Sequence, residues 1–222
     1  MANSGSWQAV IFDRDGVLTD FDLPRAAQFF TPRVPLSLWE IFARWEAYGQ
    51  IVGFPNSMEA EQEFFADFWS HICTDLGLDD SVRRELQQFD YTTCLTVYPD
   101  VRPALTAARD AGLPIGVLSN FALASLEHSL QTTGLADWVD AACAATVIGA
   151  AKPAPRAYAI AAARLGVQPE ACLFFDDELP CVEGARAVGM RAFHVDRGRS
   201  HHALDEGVVA DLSALAVLLA AL

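Results

Sequence analysis

Ala9-Val10-Ile11-Phe12-Asp13-Arg14-Asp15-Gly16-Val17 is the stretch whose reading decides the fold. Four apolar residues followed by two carboxylates predict a buried strand, Gln8 to Asp13, that ends in charge. Residues i and i+2 of an extended segment point the same way, so Asp13 and Asp15 are expected to converge. They would do so at the carboxyl end of the strand, where open α/β sheets bind ligands. Gly16 lets the chain turn directly afterwards. Two close carboxylates repel, and a divalent cation or pKa values driven apart would hold them together.

Downstream of Pro99 the pattern becomes an alternation of strands and helices. Strands are predicted at Pro114–Leu118, Val139–Ala145, Ala171–Phe175 and Met190–Val195. Helices are predicted at Pro99–Asp110, Phe121–Gln131, Ala154–Leu165, Pro180–Val188 and Leu212–Leu222. Repeated β–α alternation implies a three-layer, Rossmann-like α/β fold, a parallel sheet with helices on both faces. Between Pro24 and Tyr91 the pattern is helical instead. Leu38, Phe42 and Trp45 recur at helical spacing, and Phe64, Phe65, Phe68, Trp69 and Ile72 form a wider stripe. Ser57 is placed to cap the helix that follows the break at Gly53-Phe54-Pro55. This run reads as an insertion after the first strand. The core is then residues 1–20 and 95–222, and the insertion is 21–94.

The chain has 222 residues and a formal charge of −14, from 15 basic and 29 acidic side chains. That balance argues against nucleic acid or an anionic membrane as partner, since both need a basic face. Cys73, Cys94, Cys143, Cys172 and Cys181 form no C-x-x-C pair, so a structural zinc site is not expected. Met1 to Trp7 carries no apolar leader pattern, and no stretch reaches the roughly 20 apolar residues of a membrane span. A reducing cytoplasm is the expected setting.

Three more polar clusters fall at predicted element ends. Ser119-Asn120 follows one strand, Asp176-Asp177 follows another, and Lys152 precedes Pro153 at a helix start. Lys152 is the only lysine in the chain, and the other basic residues are arginines. Keeping a lysine at a helix N-terminus, against the dipole, suggests a need for a compact ammonium. Carboxylates, a hydroxyl, an amide and a lysine on one rim suit phosphoryl transfer.

In their order and spacing these motifs resemble the haloacid dehalogenase (HAD) superfamily. An apolar strand and D-x-D-G-[TV] is matched by Asp13 to Val17. A strand ending in Ser or Thr is matched by Leu118-Ser119-Asn120, the lysine by Lys152-Pro153, and the acidic pair by Asp176-Asp177. Gly184 to Met190 is similar to the segment that follows that pair. The resemblance implies a magnesium-dependent phosphohydrolase acting on a small phosphomonoester. Asp13 would be nucleophile and Mg2+ ligand, and Asp15 general acid/base with its main-chain carbonyl on the metal. Ser119, Asn120 and Lys152 would hold the phosphoryl group, and Asp177 would bind the metal. Asp176 would bind it directly or through water. The insertion resembles a helical cap of the C1 type, expected to close over the site and select substrate. Sugar phosphates, phosphoglycolate-like acids and nucleotides all fit that reading. A phosphomutase similar to β-phosphoglucomutase shares the four motifs, and a non-catalytic binding protein could keep the fold. Arg14 stands where relatives often have an aliphatic or aromatic residue and is read as a local variation. The aromatic stripe Phe64 to Trp69 is read as cap core, and Trp39, Trp45 and Tyr48 as possible ligand contacts.

Overall fold

The computed structural model describes residues 7–220. Its centre is a six-stranded parallel sheet. The strands are β1 (Ala9–Phe12), β4 (Ile115–Ser119), β5 (Ala141–Ala144), β6 (Cys172–Asp176), β7 (Arg191–Val195) and β8 (Val208–Val209), in the order β5-β4-β1-β6-β7-β8. β1 lies in the middle, with Phe12 opposite Val117 on one side and Phe175 on the other. Neighbours on both sides leave it no free edge, and every residue of β1 is fully buried.

The two-residue period of β1 sorts its side chains between two cores. Val10 and Phe12 pack with α5 (Val101–Asp110), α6 (Leu126–Thr132) and α10 (Ala214–Ala220) on one face. Ala9 and Ile11 pack with α8 (Pro155–Arg164) and α9 (Leu179–Ala187) on the other. The three-layer α/β architecture expected from the alternation is the one observed. The chain end beyond Ala220, including the last two residues of the predicted closing helix, lies outside the described residues, as do Met1 to Ser6.

The insertion holds α1 (Leu23–Phe30), α2 (Leu38–Val52), α3 (Met58–Leu76) and α4 (Asp80–Gln87). Ser57 caps α3 as expected, accepting the Ala60 N–H at 3.1 Å. α2 starts with a capping box between Ser37 and Glu40. These helices build their own apolar core from Phe30, Ile41, Phe68, Trp69, Ile72 and Leu86 among others. The chain leaves and re-enters the sheet domain through an antiparallel pair, β2 (Thr19–Phe21) and β3 (Leu95–Val97), with Thr19 opposite Val97. That pair was not visible in the sequence. Each strand has three residues, too few to show a period, and the two are separated in sequence by the whole helical insertion.

One helix boundary differs from expectation. α6 begins at Leu126, not Phe121, because Phe121 to Ser125 form a loop that the insertion grips. Among the described residues, no helix is long and apolar enough to cross a membrane. All five cysteines are unpaired and buried.

Candidate active site

The carboxyl ends of β1, β4 and β6 bring the predicted residues together. Asp13 follows β1 directly, its N–H donating to Phe175 O of β6 at 2.8 Å. From the loop before α8, the Lys152 ammonium reaches Asp13 Oδ1 at 2.8 Å and Asp176 Oδ2 at 2.7 Å. All three side chains are buried. The carboxylates of Asp13, Asp176 and Asp177 gather with oxygens within 4.8 Å of one another. Three carboxylates against one ammonium leave a net negative charge in a poorly solvated place. Burial, and then the Asp176 charge, raise Asp13 against the pull of Lys152, and its pKa is pushed up to about 7. Burial likewise raises Asp176. Asp177 is pushed up to about 6, by burial of its carboxylate first and the Asp13 charge second, although the residue as a whole stays exposed. For Lys152 burial acts downward, but Asp13 and Asp176 outweigh it and the net shift is up.

These residues fit a hard divalent cation. Asp13 Oδ1 is at ion-pair distance from Lys152, yet no donor meets it at a hydrogen-bonding angle. It is thus a buried anionic oxygen with spare coordinating capacity, beside two further carboxylates. Asp176 is the least free of the three. Its Oδ2 holds Lys152, and its Oδ1 accepts the Glu178 N–H at 2.8 Å.

Gly16 is required at its position for two reasons. Its φ is +72°, and a Cβ there would overlap the Asp177 carboxylate. The Gly16 turn also redirects Asp15. Leu18 N and Thr19 N both donate to Arg14 O at 2.8 Å, so extended geometry stops at Asp13. Asp15 nevertheless stays close enough for its charge to help raise the Asp13 pKa. Its carboxylate lies outside the Asp13–Asp176–Asp177 cluster and is gripped instead by Arg14, Nε to Oδ1 at 3.0 Å and Nη2 to Oδ2 at 2.8 Å.

The Asn120 side chain also has a positioning role. Its amide makes a reciprocal pair with the Lys152 main chain, Nδ2 to O and N to Oδ1, both at 2.8 Å. Asn120 therefore orients the lysine loop. Pro153 on that loop packs against α9 at Gly184, where a Cβ would come within 2.8 Å of it. Ser119 is buried, and its hydroxyl oxygen accepts the Phe121 N–H at 3.1 Å, which leaves its own O–H to donate.

Several residues at the site have roles that the sequence did not show. Arg14 is no bland variation: it is 2 % exposed, donates to Tyr91 Oη at 3.3 Å and Ser129 Oγ at 3.1 Å, and lies 4.7 Å over the Phe121 ring. Arg197 donates to Gly16 O at 2.9 Å and Val17 O at 2.6 Å, and forks onto Asp100. It buttresses the turn behind Asp15 from the far end of the chain. Glu61 on α3 accepts the N–H groups of Ala124 at 2.7 Å and Ser125 at 2.9 Å, clasping the loop after β4. Burial raises the Glu61 pKa, opposed by the Ser125 side chain first and then by the main-chain bonds from Ala124 and Ser125.

A model of the haloacid dehalogenase-like hydrolase family matches residues 7–189. The chain belongs to that family. It is 44% identical over 220 residues to Phosphatase MT3486 of Mycobacterium tuberculosis, covering 96% of this chain and 97% of that one. It is 26% identical to (S)-2-haloacid dehalogenase 2 of a Pseudomonas species, over 87% of this chain and 85% of that one. Among solved structures, an HAD phosphatase from Thermococcus onnurineus superimposes with a TM-score of 0.63 at 27% identity, covering 96% and 97% of the two chains. This HAD-like hydrolase thus has relatives named for two chemistries, phosphate ester hydrolysis and carbon–halogen cleavage.

Proposed function

We propose that this HAD-like hydrolase is a phosphatase that cleaves a small phosphomonoester through an aspartyl-phosphate on Asp13. The observation that carries the reading is the division of labour around the Gly16 turn. Asp13 is buried against Lys152, while Asp15, two residues on, is partly exposed and held by Arg14. Dehalogenation needs the nucleophile but no acid for an alcohol leaving group, and the resembling dehalogenases lack the second aspartate.

In the first step an Asp13 oxygen bonds to phosphorus as the bond to the alcohol oxygen breaks. Asp15, as a carboxylic acid, gives its proton to that oxygen. In the second step a water oxygen attacks phosphorus and its proton passes to the Asp15 carboxylate. The bond to Asp13 breaks, inorganic phosphate leaves and both aspartates are regenerated. Lys152 touches Asp13 and would neutralise charge on the equatorial oxygens, with the Ser119 hydroxyl as a second donor. Arg14 fixes the direction of Asp15 by its two-pronged grip. Asp13, Asp177 and the Asp15 carbonyl, with Asp176 directly or through water, would hold Mg2+, which when bound shields the anionic nucleophile from the anionic phosphate. The helical insertion, residues 21–94, would act as the cap that covers the site.

Phosphate release from a panel of phosphomonoesters tests this reading. Chelation with EDTA should lower the rate at least about a hundredfold, the equivalent of several kcal/mol of charge stabilisation. Excess Mg2+ should restore it. Chelator-resistant release, or chloride release from 2-chloropropionate in its place, would overturn the proposal.

The metal-free protein should also show a diagnostic pH dependence. Asp13 and Asp177 titrate in the fold at about 7 and about 6, above the ordinary aspartate value of 3.8. A raised carboxylate means that the folded state holds the proton more tightly, so stability falls as pH rises from about 4 through about 7. Lys152 is raised above 10.5 and keeps its contribution throughout that window. Asp90 and Asp211 are lowered, so their contribution is lost only in stronger acid. The Tm in EDTA should therefore decline from pH 5 to pH 7.5. The increase on adding Mg2+ should be larger at pH 7.5, because ligation needs ionised carboxylates. A Tm that rises with pH in EDTA would contradict the assignment.

A further inference from the structure

A cavity of about 530 Å³ opens beside the Asp15 loop, between the sheet domain and the insertion. Its size is that of a small-molecule site. Arg14 to Gly16 form part of the wall on the sheet side, and aromatic rings from α2 and α3 line the other. Phe42, Trp45, Phe65, Trp69 and Phe121 are among the rings that line it. Phe121 bridges the two sides. It stacks on Trp45 at 5.9 Å with an interplanar angle of 18°, and carries the Arg14 guanidinium on its ring. Phe65 and Trp69 thus belong to the insertion core and to the cavity wall at once, while Tyr48 packs away from it against Phe64 and Phe68.

The polar groups of the wall are few and already engaged. Arg14 is its single basic side chain and is occupied by Asp15. The Tyr91 hydroxyl is shared between Arg14 and Ser125. Asp20 and Glu46 add negative charge at exposed positions. The exception is Trp45, whose Nε1 is buried without an acceptor. Among the described residues it and Asp13 Oδ1 are the two buried side-chain polar atoms without a hydrogen-bond partner. One belongs to the proposed reaction centre; the other is an atom of a cavity-lining ring but is itself buried, so Trp45 offers the cavity its ring and not its N–H.

We propose that the cavity receives the alcohol part of the substrate, and that this part is aromatic and uncharged. The inference rests on the phosphatase reading above and narrows it. A sugar would lose water from several hydroxyls and find almost no partners on this wall. A carboxylate or second phosphate would meet Asp20 and Glu46 with no free cation to offset them. A flat ring would stack between Trp45 and the neighbouring rings and bury its faces.

The test compares 2-phenylethyl phosphate, glucose 6-phosphate and 2-phosphoglycolate, three primary alkyl esters of similar intrinsic reactivity. With Mg2+ present, kcat/KM for the phenylethyl ester should exceed the other two at least about tenfold. Trp45→Ala should raise its KM at least about fivefold and shrink that advantage. Trp39→Ala provides a second variant with little risk to the fold, since Trp39 lines the cavity yet is 69 % exposed. It should act in the same direction. Equal or reversed ranking, with phosphate still released, overturns this proposal and leaves the phosphatase reading standing. An unchanged KM in both variants does the same. Release from none of the three esters overturns both.

Discussion

Asp13→Asn should lower phosphate release by roughly 10⁴-fold or more, the scale of losing a nucleophile, while the fold stays as stable or becomes more so. An amide oxygen is a poor nucleophile toward phosphorus, so the acyl phosphate does not form. Stability moves the other way because Asp13 is buried beside Asp176 and Asp177, and its pKa, pushed up to about 7, shows that ionisation is disfavoured there. Removing that charge relieves repulsion and leaves Lys152 its contact with Asp176 at 2.7 Å. The measurements are phosphate release with Mg2+ and Tm at pH 8 in EDTA. Wild-type turnover would remove Asp13 from the nucleophile role. A Tm well below wild type would show the charge to be a net stabiliser of the fold.

Lys152→Met should be costly for the opposite reason. The ammonium is the only cation in contact with the buried Asp13 and Asp176 among the described residues, and its side chain is 1 % exposed. Breaking a buried charge cluster by removing one partner typically costs about 3–5 kcal/mol. For a chain of this length that is a drop in Tm on the order of 10 °C. The loss should ease as pH falls, because protonation of the two carboxylates removes the unpaired charges. Activity should fall with it, and Lys152→Arg should not restore it, since a planar guanidinium has neither the shape nor the room. The double variant Lys152→Met with Asp13→Asn should be more stable than Lys152→Met alone, a coupling that a thermodynamic cycle measures. Simple additivity would mean that the two side chains act independently.

Much of this site was legible in the chain because its parts sit at the ends of strongly patterned elements. The runs before Asp13, Ser119 and Asp176 are apolar enough to be buried strands wherever they are placed, and parallel strands align their carboxyl ends. Three strand ends and one helix start thus define a rim. Less legible was what each side chain does on that rim. Asp15 was expected on the rim, but its two-pronged hold by Arg14 was not. The pairing of the Asn120 amide with the Lys152 main chain was not foreseen either. Both depend on partners that local spacing does not encode.

The sequence by itself determined the layering, the rim and the presence of an inserted helical unit, because burial patterns of period 2 and 3.6 are local properties. Only the tertiary structure decided where the insertion turns its aromatic face, and so that Phe65 and Trp69 line a cavity as well as a core. It also decided that Arg197 supports the Gly16 turn, 181 residues away along the chain. A helical stripe shows that a face is apolar, but not whether it meets another helix or leaves space for a ligand. That is set by the packing of segments distant in sequence, here α2 and α3 against the loop after β4, with Glu61 and Trp45 holding the two together.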